Sequence, residues 1–155
     1  MNHVFMREAI RISIEKMRRN EGGPFGAVVV RGCRVVGRGW NRVTSSCDPT
    51  AHAEVVAIRE ACRRLKTFQL GDCDMYTSCE PCPMCLGAIY WARIRCVYYG
   101  NTRRDAARIG FDDNLIYREI SRPLSRRKIP MKRLLREEAL AAFEEWESKP
   151  DKLPY

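Results

Sequence analysis

A chain of 155 residues suffices for one domain with a sizeable core, and 45% apolar residues exclude a disordered chain. No apolar run is long enough to span a membrane, and residues 1–21 mix charged and apolar side chains unlike an export signal, so a cytoplasmic protein without a membrane role is expected. The net charge of +9 admits a nucleic-acid partner, and the eight cysteines, without an export signal, favour free buried thiols (Cys33, Cys62, Cys73, Cys96) over a disulfide framework.

Val4, Phe5, Ala9, Ile12 and Met17 line one face of a helix over residues 2–19, which Gly22-Gly23-Pro24 ends. Residues 25–30 read as a buried strand and 33–40 as its neighbour, joined by a tight turn at Arg31-Gly32. Asn41 follows, where its amide either faces a pocket or makes a strand-end turn. After a polar loop, Asp48-Pro49-Thr50 offers caps to a helix starting at Ala51 or His52, with Val55, Val56, Ile58, Cys62 and Leu65 at helical spacing. A third strand spans 73–78, a helix runs from Cys82 to about Ala92, and a fourth strand covers 95–99. This strand–helix–strand order predicts parallel pairing, with helices covering a central sheet.

Beyond Gly100, residues 101–113 read as a polar loop ending in Phe111-Asp112-Asp113, followed by a short helix over 114–121. The basic stretch 122–136 holds Arg122, Arg126, Arg127, Lys128, Lys132, Arg133 and Arg136 without an acid or an aromatic, and a short strand is expected near 129–134. It is either a solvated face or a phosphate-binding patch. An amphipathic helix over 137–148 aligns Leu140, Phe143 and Trp146, and a proline-punctuated tail ends at Tyr155.

The chemistry concentrates in two stretches, His52-Ala53-Glu54 and Cys79-Glu80-Pro81-Cys82-Pro83-Met84-Cys85. Cys82 and Cys85 are spaced to reach one metal ion from the first turn of a helix, where the dipole and unpaired N–H groups favour thiolates. Pro83 suits the first helical position. One imidazole, His52, and two thiolates leave a fourth zinc position open, the mark of a catalytic rather than a structural site. Glu54 stands close by as a proton carrier, and H-x-E with P-C-x-x-C is the zinc-deaminase signature. Cys79 is the competing fourth ligand, and its place at a strand end argues against it. A structural zinc site, or a zinc-stabilised nucleic-acid-binding module, is the bland alternative.

These residues resemble the cytidine deaminase-like superfamily. Within it, Gly22-Gly23-Pro24-Phe25-Gly26, Asp48-Pro49-Thr50-Ala51, Phe111-Asp112-Asp113 and a terminal Tyr155 are similar to the small zinc-dependent guanine deaminases. The resemblance implies an α/β three-layer sandwich, a central mixed sheet of about five strands with helices on both faces. It implies one deaminase domain over 1–155, one Zn2+ per subunit on His52, Cys82 and Cys85, and Glu54 as catalytic residue. It implies a small-molecule purine substrate met by Asn41, Asp113, Phe25 and Trp91, while the backbone N–H groups near Ala53 and Cys79 are candidates, from the chemistry alone, to orient it. It further implies a homodimer exchanging the 122–155 segment, with Tyr155 closing the partner's site. Asp112 competes with Asp113. The 122–154 stretch matches less well, and guanosine or tRNA adenosine deamination are the rival activities.

Overall fold

The computed structural model describes residues 2–154. They fall into two compact units, the first ending at Asn114 and the second beginning at Leu115.

The first unit opens with α1 (His3–Arg18), whose N-cap Asn2 accepts a hydrogen bond from the Val4 N–H. Strands β1 (Gly26–Arg31) and β2 (Arg34–Trp40) form a hairpin, with the turn at Gly32-Cys33, one residue later than the sequence suggested. Gly32 takes φ +58°, which a glycine adopts without a Cβ clash. Cys33 is therefore exposed at a turn, not buried, while Cys73 is buried and Cys62 and Cys96 are half-buried; all eight cysteines are free. A single turn, α2 (Val43–Ser46), leads to α3 (Ala53–Leu65), then β3 (Cys73–Cys79), α4 (Pro83–Trp91) and β4 (Cys96–Asn101).

The sheet has the order β2-β1-β3-β4, antiparallel at β2–β1 and β1–β3 and parallel at β3–β4. The expected sheet is thus mixed as foreseen, with four strands among the described residues instead of five. The expected strand over 129–134 does not form, because Pro130 removes a ladder donor and no strand lies beside it.

Alternation along β1 and β3 divides the core by face. Ala27, Val29 and Met75 pack with the alanine face of α3 (Ala53, Ala57, Ala61) and with Ile89 of α4. Val28, Val30 and Tyr76 pack with Ile12 and Phe5 of α1 on the other side. Two glycines of β2 decide how close α3 comes: a Cβ on Gly39 would lie 2.0 Å from the Ala53 carbonyl oxygen, and one on Gly37 2.3 Å from that of Ala57. The smallest side chains in β2 and α3 therefore fix the start of α3 against the sheet.

Residues 101–113 are not the loop they resemble. Thr102 and Asp105 form a reciprocal capping box that starts α5 (Arg103–Arg108). In the second unit, α6 (Asn114–Ile120) is followed by a single 3-10 turn (Leu124–Arg126) and α7 (Arg136–Ser148). Glu119 organises the basic stretch locally, accepting from the Lys128 N–H and from Arg122 Nη1, both at 2.6 Å. No described residue of 115–154 is buried.

Candidate active site

His52 and Cys82 occupy equivalent places. Each is the residue at which an extended chain enters a helix, His52 at the N-cap of α3 and Cys82 at that of α4, with Pro83 next. Asp48-Pro49-Thr50 does not cap α3 as expected, because Asp48 turns back to accept from the Thr50 N–H and hydroxyl at 2.8 and 2.7 Å. Two helix N-termini thus converge, and their unpaired N–H groups and positive dipole ends favour the anionic groups between them.

His52 Nδ1 lies 3.6 Å from Cys82 Sγ and 3.5 Å from Cys85 Sγ. Tetrahedral zinc, with bonds of about 2.3 Å to sulfur and about 2.0–2.1 Å to nitrogen, places such atoms about 3.6 Å apart. The three donors are therefore already spaced for that ion. They form the one such cluster of donor atoms, all within 4.8 Å of one another, found among the described residues. The protonation of the pair agrees. The Cys82 thiol is lowered to about 4, chiefly by the hydrogen bond from Cys85 and then, against burial, by His52. Cys85 is raised, because it holds the shared proton and is buried beside Glu54. His52 is raised by its hydrogen bond to Cys82. A divalent cation supplies the positive charge that lets both sulfurs ionise.

Cys79, the competing ligand, stands apart. Its sulfur points to the Thr102 carbonyl oxygen at 3.7 Å, and burial pushes the thiol up to about 11. Among the described residues, three protein donors, not four, face the metal position.

Glu54 is 5% exposed. Its Oε2 accepts from Cys85 Sγ at 3.4 Å and its Oε1 from the Thr77 hydroxyl at 3.0 Å. Burial is the largest influence on the carboxyl and pushes it upward, against the pull of these hydrogen bonds. A carboxyl raised in this way is suited to taking and returning a proton. Sequence reasoning gave Thr77 no role; in β3 it is turned to the α3 side, where it meets Glu54. Its neighbour Ser78 turns the opposite way and accepts the Gly26 N–H at 3.0 Å.

Asn41, 7% exposed, uses Oδ1 to accept the Val43 N–H at 3.2 Å, so part of its role is the strand-end turn. The backbone of Gly22, at φ +154°, passes so near that a Cβ there would sit 1.8 Å from the Asn41 carbonyl oxygen. Phe25 meets Phe111 edge-on at 4.9 Å, linking the strand start to the Phe111-Asp112-Asp113 stretch. Asp112 accepts the Asn114 N–H at 2.9 Å, a local turn contact. Asp113 is half-buried and raised, first by burial and then by the negative charge of Cys82. Of the two aspartates, Asp113 is the partly buried one and Asp112 is exposed. Ala53 is fully buried at the first turn of α3. Trp91 ends α4, nine residues after Cys82 and hence about 13 Å along the axis, and is 70% exposed. Tyr155 lies outside the described residues.

Residues 1–101 match the cytidine and deoxycytidylate deaminase zinc-binding region. The whole chain is 50% identical to the guanine deaminase of Bacillus subtilis (strain 168), over 156 residues that cover 100% of both proteins. The chain belongs to the guanine deaminase family of zinc-dependent deaminases. The X-ray structure of guanine deaminase from Bacillus subtilis superposes with a TM-score of 0.97 at 50% identity, covering 100% of this chain and 99% of that one. The tRNA-specific adenosine deaminase of Aquifex aeolicus (strain VF5) is 40% identical over 95 residues, 61% of this chain and 62% of that protein. Likeness to guanine deaminase extends through residues 115–155, where the basic stretch lies; this likeness to the tRNA enzyme covers a shorter span.

Proposed function

We propose that this protein hydrolyses guanine to xanthine and ammonia. The observation that carries the reading is a buried carboxylate, Glu54, with one oxygen 3.4 Å from Cys85 Sγ, at a three-donor metal site. Zinc, when bound to His52, Cys82 and Cys85, supplies a water acidified to a pKa of about 7. Glu54 accepts one proton of the attacking water and delivers it to the ring nitrogen beside the amino-bearing carbon, then takes the proton of the newly added hydroxyl and delivers it to the departing amino group. A C–O bond forms, a C–N bond breaks, and ammonia leaves.

Guanine offers an N–H edge and carbonyl and ring-nitrogen acceptors. Asp113 accepts from the N–H edge, and the Asn41 amide, its oxygen held by Val43, donates to an acceptor. The Ala53 N–H, unpaired at the helix start, is a second donor. Phe25 provides an aromatic face. Adenine or cytosine leaves the Asp113 carboxylate partly unpaired, at a cost of about 1–3 kcal/mol.

The working form in this reading is a homodimer with the 122–155 segment exchanged, Tyr155 closing the partner's site and Trp91 brought to a site by the assembly. It is supported by the apolar side chains that 115–154 leaves in water, Leu134 at 82% and Phe143 at 74% exposure among them. Ammonia release from guanine, guanosine, cytosine, adenine and a tRNA anticodon stem tests the substrate. Turnover of guanine alone is expected; turnover of the tRNA stem or of guanosine in its place contradicts the reading.

A further inference from the structure

Glu54 takes a hydroxyl at one oxygen and, at the other, the Cys85 thiol, whose proton is lost when that sulfur binds a metal ion. Its Oε1 receives the Thr77 hydroxyl at 3.0 Å, and its Oε2 lies on the side of the metal donors, 3.4 Å from Cys85 Sγ. The anchor is built into the sheet. Thr77 is 1% exposed, in the middle of β3, paired with Ala27 of β1 on one side and Tyr99 of β4 on the other. The carboxylate, by contrast, ends a side chain with three rotatable bonds, and a free one exchanges its two oxygens by rotation.

We infer that Thr77 is a positioning residue for proton transfer: its hydroxyl locks Oε1 so that Oε2 alone faces the reacting atoms. The role rests on Glu54 being the proton carrier. A bond fixed before the reaction removes reorientation of the acid from each of its successive proton transfers, which require hydrogen-bond reach to water and substrate alike. The hydroxyl donates to the carboxylate and itself stays outside the proton path. Thr77 therefore acts on the rate of the chemical steps and leaves substrate capture to Asn41, Asp113 and Phe25. A merely structural role, joining β3 to the start of α3, would act on stability and zinc retention instead.

The test compares zinc-loaded Thr77→Val, which keeps the shape and removes the hydroxyl, with Thr77→Ser, which keeps the hydroxyl, and with Glu54→Gln. Thr77→Val is expected to lower kcat about 10- to 100-fold, the usual cost of losing an outer partner of a metal site, with KM changed less than about twofold. Zinc content stays at that of the parent, and Thr77→Ser restores kcat to within about threefold. A crystal structure of zinc-loaded Thr77→Val is expected to show the Glu54 carboxylate rotated or in two orientations. Parental kcat in Thr77→Val, a Thr77→Ser loss as large as that of Thr77→Val, or zinc loss that accounts for the fall in rate each overturns the inference. Glu54→Gln separates the levels. If it is inactive while Thr77→Val is fully active, only the positioning role fails; if it is active, the proton-carrier reading fails with it.

Discussion

In residues 2–114, Val28, Val29, Leu70 and Met75 are entirely out of water, whereas among residues 115–154 no side chain is buried and Leu134, Ile129 and Phe143 are each more than 70% exposed. The first unit draws its stability from two apolar layers on one sheet, and that rigidity holds three metal donors and an acid at fixed spacing. The second, although helical, has no interior of its own; a helix without a buried face gains little from propensity alone. Its stability has to come from a surface outside itself, and the exchanged-segment dimer proposed above would supply one. The contrast separates what assembles the chemistry from what completes the molecule around it.

Breaking the chemistry without touching either unit's folding gives the largest effect. Glu54→Gln is expected to lower kcat for ammonia release by about 10³-fold or more, with zinc content by metal analysis unchanged. Removing Leu153-Pro154-Tyr155 attacks the other side of the contrast. The expected loss is about 10²-fold in kcat/KM, again with zinc retained, and full activity in the truncated protein contradicts the lid.

Stability measurements sharpen the same division. Met75→Ala is expected to cost about 2–5 kcal/mol in denaturant unfolding, because it opens a cavity under α3. Leu134→Ala is expected to change that unfolding by less than about 0.5 kcal/mol and to weaken self-association in sedimentation instead. An unaltered dimer in Leu134→Ala argues that this leucine lies off the interface.

The smallest effect concerns α1. Glu8 accepts from Arg11 at 2.9 and 3.1 Å and from Arg38 of β2 at 3.2 Å, and the Arg11 hydrogen bond, against some burial, holds its carboxyl below the ordinary value. A lowered carboxyl stabilises the fold fully above its unfolded value of about 4.3 and loses that contribution as pH falls through the folded value. The melting temperatures of Glu8→Gln and the parent are therefore expected to differ at pH 7, by an energy of about 0.5–1 kcal/mol, and to converge in acid.

The metal site was legible because its chemistry is written in neighbouring residues: His-x-Glu and Cys-x-x-Cys each begin a helix, and helix starts are visible in sequence. The strands of the first unit were legible as short apolar runs between turn residues. Helix α5 was missed because its signal is the Thr102–Asp105 box, not an apolar stripe. The cap of α3 was misread because Asp48 is consumed by Thr50. The expected strand at 129–134 failed because apolar Ile129, Met131 and Leu134 suggested a sheet partner that the described chain does not supply. The Thr77–Glu54 bond and the Gly39–Ala53 approach are contacts between a strand and a helix distant in sequence, and no local pattern announces them.

Zinc K-edge X-ray absorption on the purified protein tests the central claim most directly. The expected spectrum has two sulfur scatterers at about 2.3 Å, from Cys82 and Cys85, and two light-atom scatterers at about 2.0–2.1 Å, only one of them from His52. A third sulfur, which Cys79 alone is near enough in sequence to provide, would close the open position and contradict a hydrolytic site here.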